Sequence, residues 1–207
     1  MAGPKVRYSR GEVVYTQGDR PDCLYRASTG LVRLSRTTSR GRTYTVRHVL
    51  PGDYFGEDVL GTEASRVGRS HTAEVLTTAQ VLALDPERLD GHDLVDLARN
   101  LGEQLRRAMT FEVHLQSGDL RQRVVRYLLE LADTPLGAED ADNRLYVRAT
   151  HELLAEGSGS TRESVSKIIT ELREEELVES GYRHITLLDL PRLQAIVTHR
   201  PGRLEGA

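Results

Sequence analysis

The sequence predicts an α+β protein in which a β-rich part, a long helix and a helix-rich part follow one another. Residues 1–90 consist of short β-branched and aromatic runs separated by glycines. From about residue 86 the strand-like alternation stops, and apolar residues recur at three- and four-residue steps. Beyond residue 119, N-capping residues and glycines divide the helical segments. We therefore expect three parts, spanning residues 1–90, 91–118 and 119–207.

The first 90 residues are expected to form a β sandwich or barrel. Their apolar runs are short, as in "GEVVYTQGD" and "GRTYTVRHVL", and glycines punctuate them at positions 11, 18, 30, 41, 52, 56 and 61. Many short strands at this spacing, each bounded by turn signals, are typical of antiparallel sandwiches and barrels.

The segment after residue 90 predicts a helix of more than twenty residues. Its apolar stripe comprises Leu94, Leu97, Leu101, Leu105, Ala108, Met109, Val113 and Leu115. Gly118 interrupts the pattern, and Asp119 can cap a second helix. Either the β part covers this stripe, or a second copy of the chain covers it in a parallel helix pair. The three- and four-residue spacing favours the second arrangement, which makes the chain a homodimer.

The C-terminal part contains the pattern of a helix-turn-helix. Thr150 can cap a short helix, the run Gly157–Ser158–Gly159 is expected to form the turn, and Thr161 or Ser160 can cap a longer helix. One face of that second helix is apolar, with Val165, Ile168, Ile169 and Leu172. The stretch "VESGYRHITLL", centred on Gly181, then predicts a two-stranded wing.

The opposite face of the second helix carries the side chains that a major-groove helix needs. They are Arg162, Glu163, Ser166, Lys167 and Thr170. Arginine or lysine can donate to guanine O6 and N7, and glutamate can accept from cytosine N4. The alternative is a solvated face in a small structural domain. The acidic residues 174–176 lie at the far end of the helix, where they can point away from phosphates.

Composition narrows the possible classes. The 207 residues carry a net charge of −3, so any contact with DNA must come from a local basic face. No run of about 18 apolar residues and no apolar signal segment is present, which suggests a cytoplasmic protein without a membrane partner. Cys23 is the only cysteine, so we expect no internal disulfide and no iron–sulfur cluster.

An enzyme is the weaker interpretation. The seven histidines show no ligand-pair spacing, and no phosphate-binding or dinucleotide-binding motif is present, so we expect no metal and no catalytic residues. A cupin-like enzyme would need clustered histidine and glutamate ligands in its strands, and His48 and His71 are too few. A haem sensor would need only one histidine, but no motif supports it.

The order of these parts resembles the catabolite activator/fumarate-nitrate regulator (CRP/FNR) family. The resemblance rests on "GEVVYTQGDRPDCLYRASTGLVRL", "LPGDYFGED" and "STRESVSKII", and covers nearly the whole chain. It implies a cyclic-nucleotide-binding-type β jelly roll, a long dimerisation helix and a C-terminal winged helix-turn-helix. It also implies a homodimeric regulator, expected to be an activator, whose partners are promoter DNA and RNA polymerase. The C-terminal half is also similar to SdrP-type stress regulators of the Thermus–Deinococcus group.

The resemblance assigns DNA-contacting roles in the helix-turn-helix. Arg162 and Glu163 match the family's base-reading pair, while Lys167 stands where the catabolite activator has arginine. Lysine is a point donor, so guanine reading there should be looser. His151 stands at a phosphate-contacting position. Three hydroxyl residues complete the predicted contact set: Thr150, Thr161 and Ser166.

The resemblance also implies a cyclic AMP site in the jelly roll. Gly56 would supply a backbone N–H, Glu57 would accept from the ribose, and Arg69 with Ser70 would hold the cyclic phosphate. The loop before Arg69 is about two residues longer than in the catabolite activator. Ala108 and Met109 stand where the family places an adenine donor, so Thr110 is the nearest substitute.

A ligand-independent regulator, controlled by its own abundance, is the alternative. In that case Gly56 and Glu57 only shape a turn, and Arg69 makes a surface salt bridge.

Overall fold

The computed structural model describes residues 4–61 and 68–198 and divides into two compact units, Met1–Thr110 and Phe111–Ala207. The N-terminal unit is β-rich and the C-terminal unit combines helices with a small sheet. The predicted α+β class and the order of its parts are therefore confirmed.

The described part of the N-terminal unit contains eight strands in two antiparallel four-stranded sheets. The strands are β1 (Lys5–Tyr8), β2 (Val13–Tyr15), β3 (Leu24–Thr29), β4 (Val32–Thr37), β5 (Thr43–Val49), β6 (Tyr54–Phe55), β7 (Thr72–Val75) and β8 (Ala79–Leu84). One sheet has the order β1-β8-β3-β6 and the other β2-β7-β4-β5. Buried side chains from both sheets form a single core, as in a jelly-roll sandwich.

Gly30 shows why one of the predicted turns needs glycine. It joins β3 to β4 with a φ of 82°, in the left-handed region. A Cβ atom there would lie 2.5 Å from the carbonyl oxygen of Thr78 and 2.6 Å from Cα of Ala79. Any side chain at residue 30 would therefore disturb the start of β8 as well as strain the turn.

The long helix α1 spans Gly91–Gln116. It ends two residues before the predicted limit because Gly118 adopts a left-handed φ of 84° and Asp119 caps the following helix. Only part of the predicted apolar stripe is covered within one chain. Leu97 is buried against Leu24 and Tyr54, and Leu101 packs partly against the same cluster. The exposed remainder includes Leu94, Leu105, Met109 and Val113, and Val95, which was not in the predicted stripe, is exposed as well.

Three polar side chains bind α1 to Asp53 and to the edge strand β6. This polar ladder consists of Asn100, Gln104 and Arg107. The Asn100 side chain accepts from the Tyr54 N–H at 2.9 Å, and the Gln104 side chain donates to the Tyr54 carbonyl at 2.8 Å. Arg107 donates to both carboxylate oxygens of buried Asp53 at 2.7 Å. Helix side chains therefore satisfy backbone groups that a further strand would otherwise pair.

The C-terminal unit packs four further helices against a small antiparallel sheet. Its helices are α2 (Leu120–Ala132), α3 (His151–Ser158), α4 (Arg162–Glu174) and α5 (Leu190–Thr198), and its strands are β9 (Gly137–Glu139), β10 (Leu145–Val147), β11 (Val178–Gly181) and β12 (His184–Leu187). The sheet order is β11-β12-β10-β9. Asp119 and Gln122 form a capping box at the start of α2.

The turn between α3 and α4 is shorter than the sequence suggested. Gly157 and Ser158 belong to α3, and only Gly159 adopts a left-handed conformation, with a φ of 67°. Gly157 is required for another reason, because a Cβ atom there would lie 2.0 Å from the ring of Tyr127 on α2. The predicted three-residue turn is therefore wrong in extent, although the helix–turn–helix order is right.

Candidate nucleic-acid interface and ligand pocket

A threonine side chain caps the start of each of the two helices in the helix-turn-helix. The Thr150 hydroxyl oxygen accepts from the Leu153 N–H at 3.1 Å, and that of Thr161 accepts from the Ser164 N–H at 3.3 Å. Thr161, rather than Ser160, is thus the N-cap of α4. These bonds satisfy N–H groups that have no partner inside the helix, so the sequence specifies both starting points locally.

The outward face of α4 carries charged side chains that the described structure leaves without protein partners. Arg162, Glu163 and Lys167 are exposed, and within residues 4–61 and 68–198 none of them has an ion pair or a side-chain hydrogen bond. Ser166 is half-buried, and its carbonyl accepts from the hydroxyl of exposed Thr170 at 3.0 Å. The structure thus brings the predicted base-reading residues onto one accessible face.

A groove of about 390 Å³ lies beside the N-terminal end of α4. Its lining includes Thr150, His151, Arg162, Tyr182, Arg183 and His184. Burial lowers the pKa of His151, and the charge of Arg162 lowers it further. Both effects favour the neutral imidazole, and an anion bound beside it would favour the charged form.

The wing contributes residues that the sequence analysis did not single out. Gly181 pairs with His184, so Tyr182 and Arg183 form a two-residue tip between β11 and β12. Tyr182 is 88% exposed, and Arg183 adopts a φ of 60°. His184 lies within hydrogen-bond distance of the Tyr182 carbonyl, at 3.2 Å, and packs edge-on against Tyr146. The sequence signal for this tip is the pair of residues, Tyr182 and Arg183, between the two predicted strands in "SGYRHI".

The acidic block is separated from this groove. Thirteen residues of helix place Glu175 about 20 Å along the axis from Arg162. Both carboxylate oxygens of Glu175 accept from Arg121, at 2.6 and 2.7 Å, and this bond lowers the pKa of Glu175. The Glu175 carboxylate is thus bound to α2, at the end of α4 opposite Arg162.

Arg69 is the most deeply buried cation described in the N-terminal unit. Only 2% of its surface is exposed, and it donates to the carbonyls of Gly56 and Cys23 at 2.7 Å each. Its guanidinium also stacks over Tyr15, with 4.4 Å from Cζ to the ring centroid. Arg69 Nη2 also pairs with the exposed carboxylate of Asp22 at 3.6 Å, so the salt bridge of the ligand-independent alternative is present, although the guanidinium itself is buried.

The other predicted ligand residues already have protein partners. Glu57 accepts from Arg47 at 2.7 Å, and the Ser70 hydroxyl donates to Asp58 at 2.5 Å. Gly56 has a φ of 78°, and a Cβ atom there would lie 2.8 Å from Arg69 Nη1. Two hydrogen bonds therefore join residues 56–58 to residues 69–70, one from Arg69 to the Gly56 carbonyl and one from Ser70 to Asp58.

Thr110 makes no hydrogen bond with the other predicted ligand residues in the described structure. It is exposed on α1, and the only hydrogen bond of its side chain within the described residues goes to the Arg106 carbonyl, at 3.1 Å in its own helix. Its assignment to the ligand stays a prediction.

Unpaired buried polar atoms indicate what kind of ligand the region around Arg69 could bind. In the described residues, the atoms without a hydrogen-bond partner include Tyr15 Oη, Thr45 Oγ1, Arg47 Nη1 and Arg69 Nε. The pKa of Tyr15 is raised by burial and by Glu57, while Arg69 and Arg47 act in the opposite direction, so these groups share one region. Donors of this kind fit an anionic ligand rich in oxygen atoms.

Other classes of site receive no support from the described residues. Within them there is no group of three or more histidine, cysteine, aspartate or glutamate side chains arranged to hold a metal ion. No described helix is both long enough and apolar enough to cross a membrane.

Comparison with known proteins agrees with both parts of the fold. The cyclic nucleotide-binding domain family matches residues 5–91, and the Crp-like helix-turn-helix domain family matches residues 122–196. The chain thus combines the sensor and DNA-binding domains of a bacterial transcription regulator.

Known transcriptional regulators are similar to this chain over nearly its whole length. The transcriptional regulator LdrP of Thermus thermophilus is 48% identical over 188 residues, covering 91% of this chain and 94% of the relative. The transcriptional regulator SdrP of the same species is 38% identical, covering 94% and 95%. A crystal structure of a CRP-family transcriptional regulator, also from Thermus thermophilus, superimposes with a TM-score of 0.87 at 45% identity, covering 94% and 97%. The chain belongs to the CRP/FNR family and is a DNA-binding transcription regulator, not an enzyme.

Proposed function

We propose that the chain works as a homodimer that reads a near-palindromic promoter site with helix α4 and activates transcription through contact with RNA polymerase. The observation that carries the proposal is the exposed face of α4, where Arg162, Glu163 and Lys167 have no protein partner in the described structure. Charged groups held on a capped helix without internal partners are free to bind base edges at no cost in broken ion pairs.

The proposed contacts divide into base reading and backbone positioning. Arg162 donates to a guanine, Glu163 accepts from a cytosine, and Lys167 and Ser166 add weaker base contacts. Thr150, Thr161, His151 and the wing tip bind phosphates around the groove. Phosphate contacts fix the position of the helix on DNA but carry no sequence information directly.

The proposed dimer uses the exposed stripe of α1. Leu105, Met109 and Val113 are 62%, 61% and 63% exposed and recur every four residues, which places them in one row. A second copy of the same helix offers the matching row, and pairing would remove both from water. Two recognition helices would then address half-sites about 34 Å apart, one turn of DNA.

Cyclic AMP is the proposed trigger. Arg69 and Ser70 would bind the cyclic phosphate, Gly56 would supply a backbone N–H and Glu57 would accept from the ribose. The unpaired donors of Arg69 and Tyr15 support an anionic occupant. Binding would require Glu57 to leave Arg47 and Ser70 to leave Asp58, so part of the ligand's binding energy is spent on breaking these bonds.

A second candidate is DNA binding without any ligand. It is favoured by the same two bonds, because protein groups already satisfy Glu57 and Ser70. In this case the abundance of the regulator sets its activity.

One experiment tests the function and separates these triggers. Promoter binding by the purified protein is measured by fluorescence anisotropy with and without cyclic AMP, alongside calorimetry of the nucleotide. Selective binding to promoter DNA supports a regulator, and equal binding to random DNA contradicts specific reading. Heat of binding together with a 5- to 150-fold gain in DNA affinity supports the switch, an expected range of about 1–3 kcal/mol. No heat, with tight binding to the promoter alone, supports the ligand-independent regulator.

A further inference from the structure

The hairpin formed by β4 and β5 is unusually basic for this chain. Between Asp22 and Asp53 there is no acidic residue, but there are six arginines: Arg26, Arg33, Arg36, Arg40, Arg42 and Arg47. The rest of the chain contains the other 22 basic residues and all 31 acidic residues. Positive charge is thus concentrated in one sequence segment of a chain whose net charge is −3.

Arg26 lies on β3, outside the hairpin, and the other five arginines form two groups. At the base of the hairpin Arg33 pairs with Glu74 and Arg47 pairs with Glu57. Toward the tip, Arg36 and Arg40 are exposed, and within the described residues neither has an ion pair. Arg42 is also exposed and lies over the ring of Tyr44, 5.0 Å from Cζ to the centroid. Within the hairpin, the two arginines that have no ion pair in the described residues, Arg36 and Arg40, therefore lie toward the tip.

The tip is held in a defined shape. The Thr38 N–H donates to the Arg42 carbonyl and the Gly41 N–H donates to the Thr38 carbonyl, both at 2.9 Å. Gly41 supplies the left-handed φ of 76° that this turn uses. The side chain of Gln17 bonds both backbone groups of Thr37, at 2.9 and 3.2 Å. A preformed tip loses little conformational entropy when it binds a partner.

The chemistry of the tip identifies the class of partner. Residues 36–43, RTTSRGRT, consist of arginine, hydroxyl residues and one glycine. No large apolar side chain in this stretch is exposed, and protein–protein interfaces usually need an apolar or aromatic centre. Arginine with serine and threonine is instead the set that binds phosphate oxygens of a nucleic acid backbone.

We propose that the β4–β5 hairpin is a second DNA-contacting surface, which binds backbone phosphates flanking the site read by α4. This inference rests on the proposed function, because DNA must first be bound through the recognition helix. The hairpin adds affinity and salt dependence without adding base preference, since phosphates are the same in every sequence.

The test compares two duplexes that share one promoter site. The short duplex covers only the two half-sites, and the long one carries additional DNA on each side. The variant Arg36→Gln/Arg40→Gln/Arg42→Gln removes three charges from the tip. The control Lys5→Gln/Arg7→Gln/Arg10→Gln removes three charges from β1 and the turn after it. Circular dichroism and thermal unfolding verify that all three proteins fold.

Wild type and the control should bind the long duplex more tightly than the short one, and the tip variant should bind both equally. Each phosphate that the tip no longer binds should lower the salt slope by about 0.9, or about 3.5-fold in affinity between roughly 50 and 200 mM salt. Equal affinities and slopes for wild type and the tip variant on the long duplex would overturn the inference. A tip variant that binds DNA normally but fails in transcription with RNA polymerase would also overturn it and indicate a protein partner. Wild type without selectivity on either duplex would refute the proposed function itself.

Discussion

One terminal nitrogen of Arg47 lies 2.7 and 2.8 Å from the two carboxylate oxygens of Glu57, the residue assigned to the ribose of a cyclic nucleotide. Arg47 would therefore compete with a bound ribose for the Glu57 carboxylate. Arg47 comes from β5, whereas Glu57 lies just after β6 of the other sheet, so the bond links one sheet to the segment that leaves the other.

We expect Arg47→Met to raise the affinity for cyclic AMP, because the ribose hydroxyl no longer competes with a guanidinium for Glu57. The same change should lower the free energy of unfolding by about 1–3 kcal/mol, the usual cost of removing a charged hydrogen bond. Calorimetry and urea unfolding measure the two effects. Arg33→Met is the control, since it breaks the pair with Glu74 and leaves Glu57 bonded. Unchanged nucleotide affinity in Arg47→Met would remove Glu57 from the proposed ribose site.

Arg162→Ala should weaken binding to the cognate promoter by about 1–3 kcal/mol and relax the preference at one guanine. Anisotropy with the cognate duplex and with single-base variants measures both effects. Arg173→Ala is the control, because Arg173 is exposed near the other end of α4. Equal losses on cognate and random DNA would mean that Arg162 binds a phosphate instead.

Lys167→Arg should bind the promoter as tightly as wild type or more tightly. The planar guanidinium can donate two parallel bonds to a guanine, whereas an ammonium offers a single point of contact. The preference at the corresponding base pair should sharpen in the same assay. A loss of more than about tenfold in affinity would show that α4 leaves no room for the longer side chain.

The double change Leu105→Glu/Met109→Glu should yield a monomer with intact secondary structure. Both side chains are exposed in one chain, so the change costs little there, but it places like charges in the proposed seam. Light scattering at micromolar protein measures the mass. Arg99→Glu changes an exposed residue of the same helix outside this row and serves as the control. Wild type that is already monomeric would contradict the dimer.

DNA affinity should increase as the pH falls through the range in which His151 of the complex takes up a proton. The pKa of His151 is lowered in the free protein by burial and by Arg162, and a nearby phosphate would raise it. Above the bound-state pKa the imidazole is neutral in both states and adds nothing. As the pH falls through that value, the complex takes up a proton and is stabilised.

His151→Gln should flatten this pH dependence, and His151→Arg should give the tighter binding at every pH. His184→Gln, in the same groove, should leave the dependence in place. A pH profile identical in wild type and His151→Gln would mean that His151 does not contact phosphate.

Local signals made the helix-turn-helix predictable. Thr150 and Asp119 cap the helices they were expected to cap, and Thr161 is one of the two caps proposed for α4, because a capping bond involves only neighbouring residues. The role of Gly157 depended on Tyr127, which lies thirty residues earlier, so the sequence suggested a turn where the structure needs close helix packing.

The sensor shows the same division between local and tertiary information. Arg69 and Ser70 could be located by their spacing from the last strand. That Arg69 stacks over Tyr15 and that Arg47 bonds Glu57 could not be inferred, because these contacts join separate strands. The tip of the wing was detectable as a turn, but its exposure and its place beside Arg162 emerge only when α3, α4 and β12 pack together.

The polar ladder of α1 has a consequence for how this sequence can change in length. Asn100, Gln104 and Arg107 fix one side of the helix to Asp53 and Tyr54, while Leu105 and Met109 occupy another side. Each residue turns an α-helix by about 100°, so inserting one residue between Gln104 and Leu105 would rotate everything beyond it by that angle. The two sides would then be out of phase. We expect this segment to tolerate substitutions in its exposed row far better than insertions or deletions.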